Sequence, residues 1–246
     1  MSWHLGRMCG FDLETTGTDP ETARIVTACV VLVGGGQATR AKNWLSDVDG
    51  QEIPAEAAAI HRVTTERARA EGTDLRQVVD EVLATLTEAV LNEVPVVAMN
   101  ARYDVTVLDR EARRYGMTPL TDRVGDGLRV IDPFVIDKQV DKYRRGSRKL
   151  VDLCRHYRVS IDEAHSADAD AIAACRVAWR IAQVEPEIGA ASLPFLHAKQ
   201  VDWARAQAES LAEYFARSPG KEHQAASVRP EWPLIPAQEV RDARHA

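Results

Sequence analysis

Phe11-Asp12-Leu13-Glu14-Thr15-Thr16-Gly17 is the stretch on which the reading of this chain turns. Residues 8–13 read as a short buried strand that runs into it. Strand side chains alternate between faces, so Asp12 and Glu14 share one face while Phe11 and Leu13 turn into a core. Two carboxylates side by side repel unless a cation sits between them, and a divalent metal ion removes that conflict. Taken alone, the pair equally describes an exposed strand end with two solvated acids. Its meaning comes from two later segments.

The first is Met99-Asn100-Ala101-Arg102-Tyr103-Asp104. Asp104 opens a helix expected over 103–115 and shares a stripe with Leu108 at i+4, leaning toward the core. The second is His165-Ser166-Ala167-Asp168-Ala169-Asp170-Ala171, which leads into a helix expected over 167–182. Asp170 lies on the face of Ala174, Val177 and Ile181, and an acid on a buried stripe is costly unless paired or metal-bound. Capping its own helix is the competing role, but Ser166 or Asp168 would cap better from nearer the N-terminus. His165 precedes this helix; an imidazole with a pKa of about 6.5 accepts a proton at neutral pH. Four carboxylates and one histidine are the groups needed to hold two metal ions and deprotonate a water for phosphodiester hydrolysis.

In order and spacing these segments resemble the motifs of the DEDDh (DnaQ-like) 3′→5′ exonucleases, over roughly residues 7–184. The matching positions are Asp12 and Glu14 with the following Thr-Thr-Gly, Asn100 through Asp104, and His165 with Asp170 five positions on. The resemblance implies an RNase H-like α/β fold, a mixed central sheet flanked by helices. It also implies two Mg²⁺ or Mn²⁺ ions, with Asp12, Glu14, Asp104 and Asp170 as ligands, Asp12 bridging and Asp104 supporting the second ion, and with His165 as general base. Leu13, Thr15, Thr16, Gly17, His61, Asn100 and Tyr103 would lie against or shape the site of the terminal nucleotide. The implied activity is release of nucleoside 5′-monophosphates from single-stranded DNA 3′ ends, in proofreading or repair. An oligoribonuclease-like or RNase T-like exoribonuclease uses the same five catalytic residues, because 2′-hydroxyl contacts decide the sugar. A noncatalytic nucleic-acid-binding module would be marked by a lost metal ligand, and none is lost. Met99, Arg62 and Asp168 depart from the family pattern; they bear on substrate preference more than on catalysis.

Around these motifs the chain reads as alternating elements. Residues 25–33 are a long apolar, β-branched run expected to be a central strand. Gly34-Gly35-Gly36 turns it into a returning strand over 37–44. A loop with a short helical piece is expected over 54–69, a helix over 75–91, strands over 94–99 and 129–132, and a helix over 149–157. The exonuclease domain is expected over 1–186. Over 187–246 we expect an amphipathic helix, with a stripe of Val201, Ala204, Ala208, Leu211 and Phe215, and then an irregular tail with four prolines. This extension reads as packed on its own domain, or else as a docking segment for a replication or repair partner.

The 246 residues suffice for one sizeable domain plus this extension. No apolar run reaches the length of a membrane span, and the N-terminus lacks the apolar centre of a signal peptide, so a cytoplasmic protein is expected. Four scattered cysteines without C-x-x-C spacing read as reduced core thiols. A net charge of −6 argues against broad coating of duplex DNA. A local basic patch is offered by Lys142, Arg144, Arg145, Arg148 and Lys149. We expect Arg144, Arg145 and Arg148 to meet substrate phosphates, with an ordinary solvated loop as the competing reading. No polymerase domain is expected in the chain, so proofreading would need a DNA polymerase in trans.

Overall fold

The protein is described from a computed structural model, over residues 2–161 and 167–237. Its strands and helices follow in the order β1 (Arg7–Thr15), β2 (Ile25–Gly34), β3 (Arg40–Leu45), α1 (Ala55–His61), α2 (Thr65–Glu71), α3 (Leu75–Leu91), β4 (Val96–Val97), α4 (Ala101–Arg114), α5 (Leu120–Val124), β5 (Val130–Ile131), α6 (Pro133–Val140), α7 (Leu150–Tyr157), α8 (Ala167–Val184), α9 (Pro186–Ala190), α10 (Leu193–Arg217) and α11 (Glu222–Ala225). The sheet order is β3-β2-β1-β4-β5. The first three strands form an antiparallel meander, and β4 and β5 join β1 in parallel. This is the expected mixed sheet with helices on both faces.

The apolar run of β2 is continuous because both of its faces are covered. Ala28 and Val30 belong to the core shared with Leu75, Val79, Val82 and Leu86 of α3. Cys29 and Val31 meet Ala167 and Ala171 of α8 on the other side. On β1, Cys9, Phe11 and Leu13 face the α3 core, as the alternation predicts. Gly10 faces α8, and a β-carbon there would stand 2.7 Å from the carbonyl oxygen of Ala171 and 2.9 Å from Cys175 Sγ. The bare glycine thus lets α8 approach the strand closely, which brings Asp170 beside Asp12, two residues along the same face.

β4 and β5 pair over only two residues each, shorter than the runs 94–99 and 129–132. The chain leaves β4 to reach Asn100, which takes a left-handed conformation (φ 60°, ψ 46°) before α4. Beyond β5 there is no further strand among the described residues. Side chains of α10 occupy that edge instead: Val130 N donates to His197 Nδ1 (3.0 Å), Asp132 N to Gln200 Oε1 (2.7 Å), and Gln200 Nε2 to Val130 O (2.9 Å).

α10 begins eight residues before the expected stripe, with Ser192 accepting from Phe195 N and a proline in the first turn, where its missing N–H costs nothing. Leu196, Gln200, Ala204 and Ala208 are its buried face, whereas Leu211 at the far end is exposed. Residues 226–237 are irregular as expected, but they do not trail: Trp232 and Ile235 are buried.

Two arginines of the basic run are paired inside the fold. Arg144 Nη2 lies 2.6 Å from Asp137 Oδ2, Arg148 donates to the same oxygen, and Tyr157 donates its hydroxyl to Asp137 Oδ1 at 2.8 Å. Asp137 is fully buried on α6, so these two guanidiniums supply the counter-charge of a buried acid. Arg145 alone of the three is exposed with no ion pair among the described residues.

Candidate active site

The register of β1 sets the first two acids. Asp12 lies opposite Cys29 and Glu14 opposite Thr27, and a bulge follows between Glu14 and Thr15. Asp170 arrives from the first turn of α8. One carboxylate oxygen from each of Asp12, Glu14 and Asp170 lies within 4.8 Å of the others. Asp104 reaches the same strand from the other side: its Oδ1 accepts a hydrogen bond from Leu13 N at 3.1 Å. β4 has already ended at that level, so Asp104 satisfies a strand amide that would otherwise lack a partner.

Four acids so placed cannot all remain ionised without compensation. Burial, then the charges of Asp104, Asp170 and Glu14, push the Asp12 carboxyl well above the usual carboxylate range. Burial and Asp170 push Glu14 up to about 7. Asp104 is also raised, by burial first, with the Leu13 amide opposing. Among the described residues no cation pairs with Asp12, Glu14 or Asp104. A hard, oxygen-seeking divalent ion fits this donor set, since carboxylate oxygens are the ligands such ions prefer. His165, expected as general base, lies outside the described residues.

Beside the acids opens a cleft of about 480 Å³. Leu13, Thr15, Thr16, Gly17, His61, Asn100 and Tyr103, the seven residues expected to shape the nucleotide site, all line it. Glu56, Ala57 and Ile60 of α1, in the span expected as a loop with a short helical piece, line it as well. The Tyr103 hydroxyl meets both Thr15 Oγ1 and the carbonyl of Gly17, pinning the loop after β1. His61 Nδ1 accepts from Val63 N at 3.2 Å, which leaves the proton of the neutral ring on Nε2. Burial lowers its pKa, the Thr15 carbonyl opposing only in part.

One residue outside the expected set holds this site in place. Asp132 is 1% exposed. Its Oδ1 accepts from Asn100 N and Phe134 N, both at 3.0 Å, and its Oδ2 from Ala101 N (3.0 Å) and Trp232 Nε1 (3.2 Å). A single carboxylate therefore fixes the starts of α4 and α6, and α4 carries Asp104. The readable signal was Asp132-Pro133, an N-cap residue followed by proline at the first helical position. Its second task, capping α4, was not readable locally.

Solved structures of similar shape include exonuclease I (TM-score 0.64, 18% identity, covering 74% of this chain and 42% of that one). Others are E. coli exonuclease I in complex with a dT13 oligonucleotide (TM-score 0.62, 18% identity, 74% and 42%) and the zinc-bound form of the E. coli exonuclease I–single-stranded DNA complex (TM-score 0.62, 16% identity, 81% and 43%). At these identities the likeness is one of fold, and the chain spans less than half the length of those proteins. No curated protein matches the sequence. The RNase T-type exonuclease family model matches residues 9–178. That span contains all five motif residues and all of the sheet but the first two residues of β1, and the chain belongs to this exonuclease family, of DEDDh type on an RNase H-like fold.

Proposed function

We propose that this protein is a metal-dependent 3′→5′ exonuclease that hydrolyses the last phosphodiester of single-stranded DNA and releases nucleoside 5′-monophosphates. The observation that carries this reading is the convergence of one carboxylate oxygen each from Asp12, Glu14 and Asp170 within 4.8 Å, beside the cleft that Glu14 lines. Two Mg²⁺ or Mn²⁺ ions bound there would polarise the phosphate and make water a nucleophile at neutral pH.

The chain's own residues do the rest. Asp12, Glu14 and Asp170 provide ligand oxygens from one strand and one helix, rigid elements that keep the acids in register. Asp104, tied to Leu13 N, holds the opposite side. The loop of Thr15, Thr16 and Gly17, pinned by Tyr103, faces Asn100 and His61 across a cleft in which a terminal nucleotide would sit. His165, in the position of the family's histidine, would accept the proton of the attacking water. The 3′ polarity and the monophosphate product come from the family resemblance. E. coli exonuclease I, similar in fold, binds single-stranded oligonucleotides and zinc. A role in proofreading would require a polymerase partner in trans.

The test is release of mononucleotides from labelled single-stranded DNA and RNA oligomers, with and without Mg²⁺ or Mn²⁺. We expect metal-dependent, stepwise shortening of DNA from a free 3′ hydroxyl, and resistance when that end carries a phosphate. Equal or faster digestion of RNA would move the substrate assignment. Degradation from the 5′ end, or activity surviving EDTA, would overturn the mechanism.

A further inference from the structure

The acids at the cleft and a net charge of −6 both repel a polyanion, so the strand needs cations close by, and Arg144 and Arg148 are tied to Asp137. The opposite charge lies one step outside the cleft, on α6. Asn100 lines the cleft, and its amide shares Asp132 Oδ1 with the amide of Phe134, so Phe134 stands next to the cleft's rim. Lys138 follows at i+4 on the same face, with Nζ 5.0 Å from the centre of the Phe134 ring. Arg102, two residues past Asn100, is on the first turn of α4 beside it, its Nη1 bonded to the carbonyl of Arg229.

Lys138 is half-buried and has no ion pair with an acid among the described residues. Burial, then Arg148 and Arg102, lower its pKa; Asp132 opposes them, but both oxygens of that acid are already taken by four donors. Keeping a half-buried cation among other cations is costly unless an anion comes to it. The half-buried Phe134 ring beneath it holds the ammonium in place by a cation–π contact. Building on the function proposed above, we propose that Lys138 and Arg102 form a subsite for the phosphate of an internal nucleotide of the single strand, with the Phe134 ring positioning the Lys138 ammonium. The subsite lies 5′ of the scissile bond and outside the cleft, so it acts on strands and not on a lone terminal nucleotide.

The test pairs binding with kinetics in Lys138→Met, in Lys138→Arg and, as control, in Lys199→Met; Lys199 also stacks on a phenylalanine, Phe195, at 5.6 Å, but on α10. Binding of a fluorescent dT12 strand is followed in EDTA across a salt series, so that no turnover is involved. We expect Lys138→Met to weaken binding several-fold and to flatten the log–log salt slope by about 0.7, the value for one lost single-strand phosphate contact. Lys138→Arg should restore the slope, and Lys199→Met should match the wild type. With metal added, the ratio of kcat/KM on dT12 to that on the p-nitrophenyl ester of thymidine 5′-phosphate should fall several-fold in Lys138→Met. A wild-type slope in Lys138→Met overturns the subsite. A wild type that binds dT12 through Lys138 but hydrolyses neither substrate overturns the proposed activity and leaves the subsite standing.

Discussion

Asp12 and Asp137 are both acids at the heart of the molecule, and they are kept in opposite ways. Asp137 is the more deeply buried, yet it is ringed by donors: two guanidiniums and a tyrosine hydroxyl close on its oxygens. Asp132 is held similarly by three backbone amides and an indole. Asp12 has carboxylates for neighbours, Asp104, Asp170 and Glu14, and each raises its pKa. A buried acid is therefore not in itself the sign of a working site. The sign is a buried acid whose surroundings make its charge worse, because only an incoming cation resolves that conflict.

The contrast is broken most directly at its two poles. Asp12→Ala should reduce hydrolysis to background while the apparent melting temperature in EDTA stays level or rises, since the change removes a repelled charge. Retained activity, read from mononucleotide release, would end the comparison. Asp137→Asn should do the reverse. It strips the counter-charge from Arg144 and Arg148, a loss of about 3–5 kcal/mol by analogy with broken buried pairs, and denaturant melts should show it. Activity per folded molecule should change little.

Asp132→Asn lies between these poles. Its amide nitrogen cannot accept, so two of the four donors lose their partner, at about 1–3 kcal/mol each. Because one of the helices so loosened carries Asp104, kcat should fall as well as stability; a stability loss with unchanged kcat would separate Asp132 from the site. Trp232→Phe removes one donor only and should cost about 1 kcal/mol, measured in the same melts.

A slope against pH sharpens the contrast without any substitution. Glu14 has a pKa of about 7 in the folded protein against 4.5 for the free side chain. The folded state therefore holds more protons than the unfolded one between those values, and stability in EDTA should decline as pH rises through that window. Added Mg²⁺ should bind more tightly as pH rises and offset the decline, because it competes with the same protons. In Glu14→Gln the slope should be shallower; an unchanged slope would place the proton elsewhere.

Much of this was legible in the sequence because its signals are local. Asp12 and Glu14 share a face through strand alternation, the 25–33 run declares a strand covered on both sides, and the face of Asp170 follows from helical spacing. What stayed hidden depends on partners far along the chain. Asp132 caps a helix that begins 31 residues earlier and receives an indole from 100 residues later. The charges of the 142–149 run were legible, but not their commitment to Asp137. That acid stands only 7 residues before Arg144 and 11 before Arg148, yet nothing in the sequence marks it as the one the fold buries. Lys138 is a single lysine in a mixed helix, and its setting likewise comes from other elements, through Arg148 and Arg102.

The side chains of Gln200 and His197 have a further consequence. By occupying the free amides and carbonyl of β5, they close the side of the sheet at which another polypeptide could add a strand. The remaining border strand, β3, carries exposed Arg40 and Lys42, charges of the kind that discourage edge-to-edge pairing. A glutamine and a histidine on one helix thereby help to keep copies of this protein from zipping together into aggregates, and a chain cut short before α10 would lose that protection along with the helix.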